Sequence, residues 1–459
     1  MLFNSYAFIF LFLVPLLAVA RYINPRYLFG YIILASVIFY AQWDLLHLSL
    51  LSASIVANYF FSKRLSSKYK KPILALAVTL NLMPLIFFKY SFFLSLSTHT
   101  YTLPLAISFY TFQQIAFLVD VYKEKIKDTT LREYLFFVLF FPHLIAGPIL
   151  HYNELMPQAK KIFLSLESVL AGTVIFSIGL AKKVLLADSL SPIANQGFAL
   201  VQSTTISSLD AWMALFAYSF EIYFDFSAYS DMAVGLALMF GILLPINFNS
   251  PYKAVNLIDF WRRWHITLSN FLKDHIYIPL GGNKCSKQRQ LVNLFITMLI
   301  GGIWHGSGWG FVLWGALHGL LLGLLHLKTA FLPKMPILFK PLSIFATFIT
   351  VTLLWVFFRS PSFDMALKYY EILFDFSSLS FTTVQLLLQK GVYHNFFVDT
   401  KLFILTLSLM VVWLLPFNSN YFYDKKPTKA TLFIAALLLM ISLKTLASTP
   451  SNSFLYFNF

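Results

Sequence analysis

Runs of about 20 apolar residues recur from one end of this chain to the other, and a run of that length has few ways to fold. Inside a bilayer every backbone N–H and C=O needs a partner within the protein, so each run is read as a membrane-crossing helix. The early runs lie near 3–20, 27–43, 45–62, 72–95, 103–122 and 134–151. Later ones lie near 166–187, 209–224, 229–246, 291–304, 309–327, 341–358, 401–416 and 429–447. Only 12% of residues are charged, against roughly 25% in a soluble globular protein. The expectation is an all-α, polytopic integral membrane protein of about 11 to 14 transmembrane or re-entrant helices around a channel. It is read as one membrane-embedded domain over residues 1–459, with N-terminal spans in 1–99, a motif-bearing core in about 100–360 and C-terminal spans in 400–450. The segment 376–400 reads as a loop or short helix.

The net charge of +15 would suggest nucleic acid in a soluble protein. Here the basic residues sit in short loops between apolar runs. Arg21 and Arg26 fall in the first loop; Lys63, Arg64, Lys68, Lys70 and Lys71 in the third; Lys123, Lys125, Lys127 and Arg132 in the fifth. The second and fourth loops have no Lys or Arg, so the odd loops are expected in the cytoplasm and the N-terminus outside. Residues 7–20 end in Ala18-Val19-Ala20, which looks like a signal-peptidase site. No basic residue precedes that run and further spans follow it, so it is read as the first transmembrane helix. The single cysteine, Cys285, excludes an intrachain disulfide.

Two histidines stand out. His305 lies in Gly301-Gly302-Ile303-Trp304-His305-Gly306-Ser307-Gly308-Trp309, between two apolar runs. Forty residues earlier, His265 ends Asp259-Phe260-Trp261-Arg262-Arg263-Trp264-His265. Ionisable side chains at membrane depth are costly, which makes each a candidate functional residue. An apolar setting favours the uncharged imidazole, which can accept a proton. The glycines around His305 permit close backbone approach, and Trp304 and Trp309 are expected to exclude water from it. Residues 255–278 read as one amphipathic helix capped by Asn256, with His265 on its apolar face among Ile258, Trp261, Trp264 and Leu268. Arg262 and Arg263 suit phosphate, which a guanidinium holds in a bidentate fork, and phosphate points to a cytosolic donor such as coenzyme A.

Glu221, Asp225 and Asp231 place three carboxylates in eleven residues of an apolar stretch. Spacings of four and six do not share one helical face, so a break or cavity is implied, with ion pairing to the arginines as the expected role. There is no Walker A motif or dinucleotide fingerprint, no Cys/His cluster with zinc-site spacing and no Gly-x-Ser-x-Gly elbow.

The stretch from Asp259 to Ser269, with Gly301-Gly302-Ile303-Trp304-His305-Gly306 and Trp314-Gly315-Ala316-Leu317-His318-Gly319, resembles the membrane-bound O-acyltransferase family. The branch it looks most like is that of bacterial alginate O-acetylation membrane subunits. Phe141-Pro142-His143-Leu144, Tyr223-Phe224-Asp225-Phe226 and Trp355-Val356-Phe357-Phe358-Arg359 support the resemblance, which covers roughly residues 100–360. It implies that His305 is the catalytic histidine and His265 the second polar position. It also implies that an acyl thioester, acetyl-CoA, enters from the cytoplasm, with Arg262, Arg263 and Trp304 as the expected donor-binding residues. The acetyl group then passes to periplasmic acetyltransferase partners that modify a polysaccharide. An alginate-like exopolysaccharide is the first expectation. Peptidoglycan, cellulose and D-alanyl transfer to teichoic acid are the alternatives within the family. The protein is expected in the bacterial inner membrane, among membrane lipids and with no metal.

Residues and resemblance lead to one expected mechanism. Neutral His305 takes the proton of an acceptor hydroxyl as its oxygen attacks the thioester carbonyl, a general-base contribution of roughly 10²–10⁴-fold. An acetyl-histidine intermediate is the variant. The rival class is a transporter without chemistry, which would release no thiol.

Overall fold

The computed structural model describes residues 1–96, 99, 101–201, 206–331, 339–378, 400–415, 426–449 and 452–455. Among these no strand forms. The helices, in chain order, are α1 (Ala7–Ala20), α2 (Pro25–Ala41), α3 (Leu45–Arg64), α4 (Lys70–Tyr90), α5 (Ile107–Tyr122), α6 (Leu131–Leu139), α7 (Phe141–Leu144), α8 (Tyr152–Ala159) and α9 (Leu166–Leu200). They continue with α10 (Ser208–Met239), α11 (Leu257–Trp261), α12 (Ile266–Leu272), α13 (Lys287–His305), α14 (Trp309–Phe331), α15 (Lys340–Arg359), α16 (Phe363–Leu373), α17 (Thr400–Leu414) and α18 (Lys429–Ser448). Six of these (α3, α4, α9, α14, α15 and α18) are long and apolar enough to cross a membrane, and α1, α2 and α17 are shorter apolar helices. This is a multi-pass membrane protein. Most of the segment 376–400 lies outside the described residues.

Five expected elements differ. The run 134–151 is not one span: α6 stops at Leu139, Pro142 sits in the four-residue α7, and α8 starts only at Tyr152. The run 166–187 continues to Leu200 as one helix. The runs 209–224 and 229–246 join into α10, whose 32 residues extend for about 48 Å. The implied break at the carboxylates is absent. The amphipathic helix 255–278 is instead broken at His265 into α11 and α12, followed by a π-turn over Lys273–Tyr277. Asn256 does cap its start, accepting from the Asp259 amide at 2.9 Å.

The chain forms two compact units. The first holds Met1–Ala181, Ala228–Ile246 and Ser419–Phe459. Its interhelical contacts include a buried amide network. Asn58 Nδ2 donates to Asn81 Oδ1 (2.9 Å) and Gln114 Oε1 (3.0 Å), and the Tyr134 hydroxyl donates to Gln114 (3.0 Å). Polar side chains that satisfy one another are the interhelical adhesive available in a bilayer.

The second unit holds Lys182–Ser227 and Asn247–Asn418. Its centre is the antiparallel pair α13/α14. They cross at Gly302 and Gly315, where a Cβ on Gly302 would lie 2.8 Å from the Gly315 Cα and collide with the Phe311 carbonyl. Small residues let two backbones approach this closely. Gly302→Val is expected to force the pair apart and cost about 1–3 kcal/mol, the usual range for overpacking. A lowered melting temperature in detergent checks this, and an unchanged one contradicts the crossing.

The same unit contains a buried ion cluster. Lys183 lies 2.7 Å from Asp225 and 2.8 Å from Asp188, with the Lys183 and Asp225 side chains each only 2% exposed. Five residues along an α-helix subtend about 140°, which would turn Lys183 and Asp188 apart. Residues 182–187 instead form a π-turn, whose i→i+5 hydrogen bonding brings them to one side. Glu221, four residues before Asp225, shares its face and is hydrogen-bonded by Ser191. The expected partner of Asp225 was an arginine; the observed one is Lys183.

Candidate functional site

α13 carries His305 as its last residue, before Gly306 takes an extended conformation. The imidazole is 4% exposed. Aromatic rings enclose it: Trp304 at 4.7 Å, Trp314 at 5.2 Å and perpendicular, and Phe358 at 5.3 Å. Trp314 is itself stacked on Trp355 at 5.7 Å. Trp309, expected to help seal the histidine from water, is 65% exposed and does not; Trp314 and Phe358 hold that place. Trp309 begins α14, whereas Trp314 lies five residues on, against the interior.

His265 is fully buried, and its backbone is in the left-handed region at φ 42°. For a residue with a side chain this costs roughly 1–3 kcal/mol, so the surroundings must impose it. Asn247 does so by holding the two residues that follow His265. Its carbonyl accepts from the Ile266 amide (3.0 Å), and its side-chain oxygen accepts from the Thr267 amide (3.2 Å) and hydroxyl (2.7 Å). The break turns His265 away from a regular helical position and sets its ring 4.7 Å from Phe226 and 6.5 Å from Trp304. Trp304 is thus near both histidines, its ring 6.5 Å from His265 and 4.7 Å from His305. Two histidines forty residues apart in the chain are brought close to one indole.

A third imidazole joins them. His318, fully buried on α14, lies 4.7 Å from Trp314, and Trp261 Nε1 donates to its Nδ1 at 3.3 Å. The neutral ring therefore carries its proton on Nε2.

The segment that buries Trp264 and His265 also lines a cavity of about 920 Å³ with Asp259, Arg262 and Arg263. Lys253, Asn256, His326 and Lys340 add to its polar lining, so four cationic side chains face one carboxylate. Burial, and then the Arg263 charge, push the Lys253 ammonium below its ordinary value, as expected for a partly buried cation near a like charge. The two arginines differ. Arg262 is exposed, while Arg263 Nε pairs with Asp259 at 2.8 Å and its Nη1 donates to the Asn249 carbonyl at 3.3 Å. Trp304 is not among the lining residues.

Sequence reasoning missed Lys183, Asn247 and the part played by Trp314 and Phe358. Lys183 carried a signal, since Lys182-Lys183 interrupts an apolar run and Asp188 follows. Asn247, in Pro245-Ile246-Asn247-Phe248, carried none that distinguishes it from a loop asparagine.

A multi-pass helical protein that gathers its imidazoles inside, beside a basic cavity, has the build of a membrane-embedded enzyme. Residues 64–360 match the membrane-bound O-acyltransferase (MBOAT) family; the chain belongs to that family and is an acyltransferase. It is 39% identical to the peptidoglycan O-acetyltransferase of Helicobacter pylori, in a match covering 100% of this chain and 98% of that protein. It is 40% identical to the probable alginate O-acetylase AlgI of Azotobacter vinelandii, over 82% of this chain and 78% of the relative. A teichoic acid D-alanyltransferase of Streptococcus thermophilus is 28% identical over 62% of this chain and 69% of its own length.

Proposed function

We propose that this chain moves an acetyl group from cytosolic acetyl-CoA across the bacterial inner membrane for O-acetylation of an extracytoplasmic polysaccharide. The observation that carries this reading is the pair His265 and His305, both buried and both near the Trp304 ring. His305 takes the acceptor's hydroxyl proton as the oxygen attacks the thioester carbonyl. The C–S bond breaks, and the departing thiolate takes the proton from the imidazolium. The products are an acetyl ester and free thiol, and His305 is restored. Holding both substrates in line supplies much of the remaining acceleration.

The basic cavity supports a donor with several phosphates. Arg262, exposed at its wall, is the group best placed to engage them. Arg262→Ala is expected to raise the KM for acetyl-CoA about tenfold, the weight of one charge-assisted hydrogen bond, with kcat little changed. Acetyl-pantetheine, which lacks those phosphates, should show no such change. Equal effects on both donors would remove Arg262 from the phosphate site.

For the acceptor, a periplasmic acetyltransferase partner would relay the acetyl group to the glycan. The end-to-end match to the peptidoglycan enzyme favours peptidoglycan, and the matches to the alginate proteins favour an exopolysaccharide. Ester-linked acetate on purified peptidoglycan and on exopolysaccharide, compared between a deletion strain and one restored with wild type or His305→Ala, separates them. Loss from one glycan, restored only by wild type, identifies the acceptor. Acetylation of both that ignores His305 overturns the reading.

A further inference from the structure

Asn247 lies 1% exposed against His265, and its side-chain oxygen is identifiable from chemistry alone. The Thr267 amide N–H points at it (3.2 Å), and an N–H donates only to an acceptor, so this atom is Oδ1 and not the amide nitrogen. The same oxygen lies 3.3 Å from His265 Nδ1. An amide oxygen has no proton to give, so Nδ1 must bring it. The neutral ring then holds its lone pair on Nε2. His318 is in the opposite state, because Trp261 donates to its Nδ1 and leaves the proton on Nε2. The two buried rings are therefore not equivalent: one presents an acceptor, the other a donor.

We propose that Asn247 is the positioning residue of His265, fixing both its left-handed backbone and its tautomer so that Nε2 meets a substrate N–H or O–H. This rests on the acyltransfer reading of the site and sharpens it. In this tautomer His265 cannot hydrogen-bond the thioester carbonyl oxygen through Nε2; it can orient only a substrate group that donates. An Asn in this place is well suited to the task. One oxygen serves the Thr267 amide, the Thr267 hydroxyl and the imidazole together, while the Asn247 carbonyl accepts from the Ile266 amide directly after the strained residue.

The test uses full-length protein in nanodiscs, with acetyl-CoA as donor and released thiol as the readout. Asn247→Ala is expected to lower kcat on the order of 10²-fold, as loss of a group that orients a functional histidine does. Asn247→Asp keeps an acceptor at Nδ1 and should recover most of that loss. Its carboxylate also favours the imidazolium, so the acid limb of the pH–rate profile should move up by about one unit or more. Asn247→Ala combined with His265→Ala should be no slower than His265→Ala alone, because one residue acts through the other. The proposal is overturned if Asn247→Asp is as slow as Asn247→Ala with an unmoved pH profile, or if the double variant shows the product of the two single losses. His305→Ala, run alongside, isolates the other failure. If it releases thiol like wild type, the acyltransfer reading of the site is wrong, whatever Asn247 does.

Discussion

Exchanging His305 for alanine is expected to lower thiol release by roughly 10²–10⁴-fold, the range that general-base catalysis contributes, while the protein remains folded. The imidazole packs among the rings of Trp304, Trp314 and Phe358. Removing it opens a gap beside those rings. The destabilisation should therefore stay in the range of an ordinary large-to-small change. His305→Gln fills more of the gap and offers hydrogen bonds but is no base at neutral pH, so it should be as inactive as alanine and closer to wild type in stability. A glutamine variant with near-normal turnover would make His305 a packing residue. Single-turnover mixing with labelled acetyl-CoA would in addition separate direct transfer from an acetyl-histidine intermediate, since only the latter leaves label on wild-type protein.

Lys183→Met is expected to have the largest effect on stability. It removes the cation that bridges Asp188 and Asp225 and leaves two carboxylates without it in the interior. Breaking a buried ion pair from one side costs about 3–5 kcal/mol, enough to remove most folded protein from a membrane extract. Asp225→Ala leaves Lys183 its Asp188 contact and should cost less. Adding Asp188→Asn and Asp225→Asn to Lys183→Met removes all three charges, and much of the folded yield should return. The yield of monodisperse protein and its melting temperature in detergent measure both steps. A triple variant no better than Lys183→Met would mean that the cluster acts by shape and not by charge.

The sequence disclosed most of what hydrophobicity and charge control. Positions of α2, α3, α13, α14 and α15 follow from apolar runs in the sequence. The weight given to His305 and His265 follows from the cost of ionisable groups in such runs. What it hid depends on backbone geometry and long-range partners. The helical periodicity through 255–278 is genuine, yet it ends at His265 because Asn247, eighteen residues earlier, takes the amides that a continuous helix would have used. The spacing of Glu221, Asp225 and Asp231 suggested a break in a helix that is unbroken. The irregularity lies instead in α9, where the π-turn at 182–187 presents Lys183. Trp309 and Trp314 are indistinguishable by type, and only the pitch of α14 decides which faces His305.

In the proposed mechanism His305 carries acyl transfer from a thioester inside the membrane. The most direct measurement is thiol release from acetyl-CoA by purified protein in nanodiscs, with wild type, His305→Ala and His305→Gln matched for folded amount. Wild type is expected to release thiol, and both variants to do so at a rate lower by at least about 10²-fold. Release by the variants at the wild-type rate would contradict that mechanism.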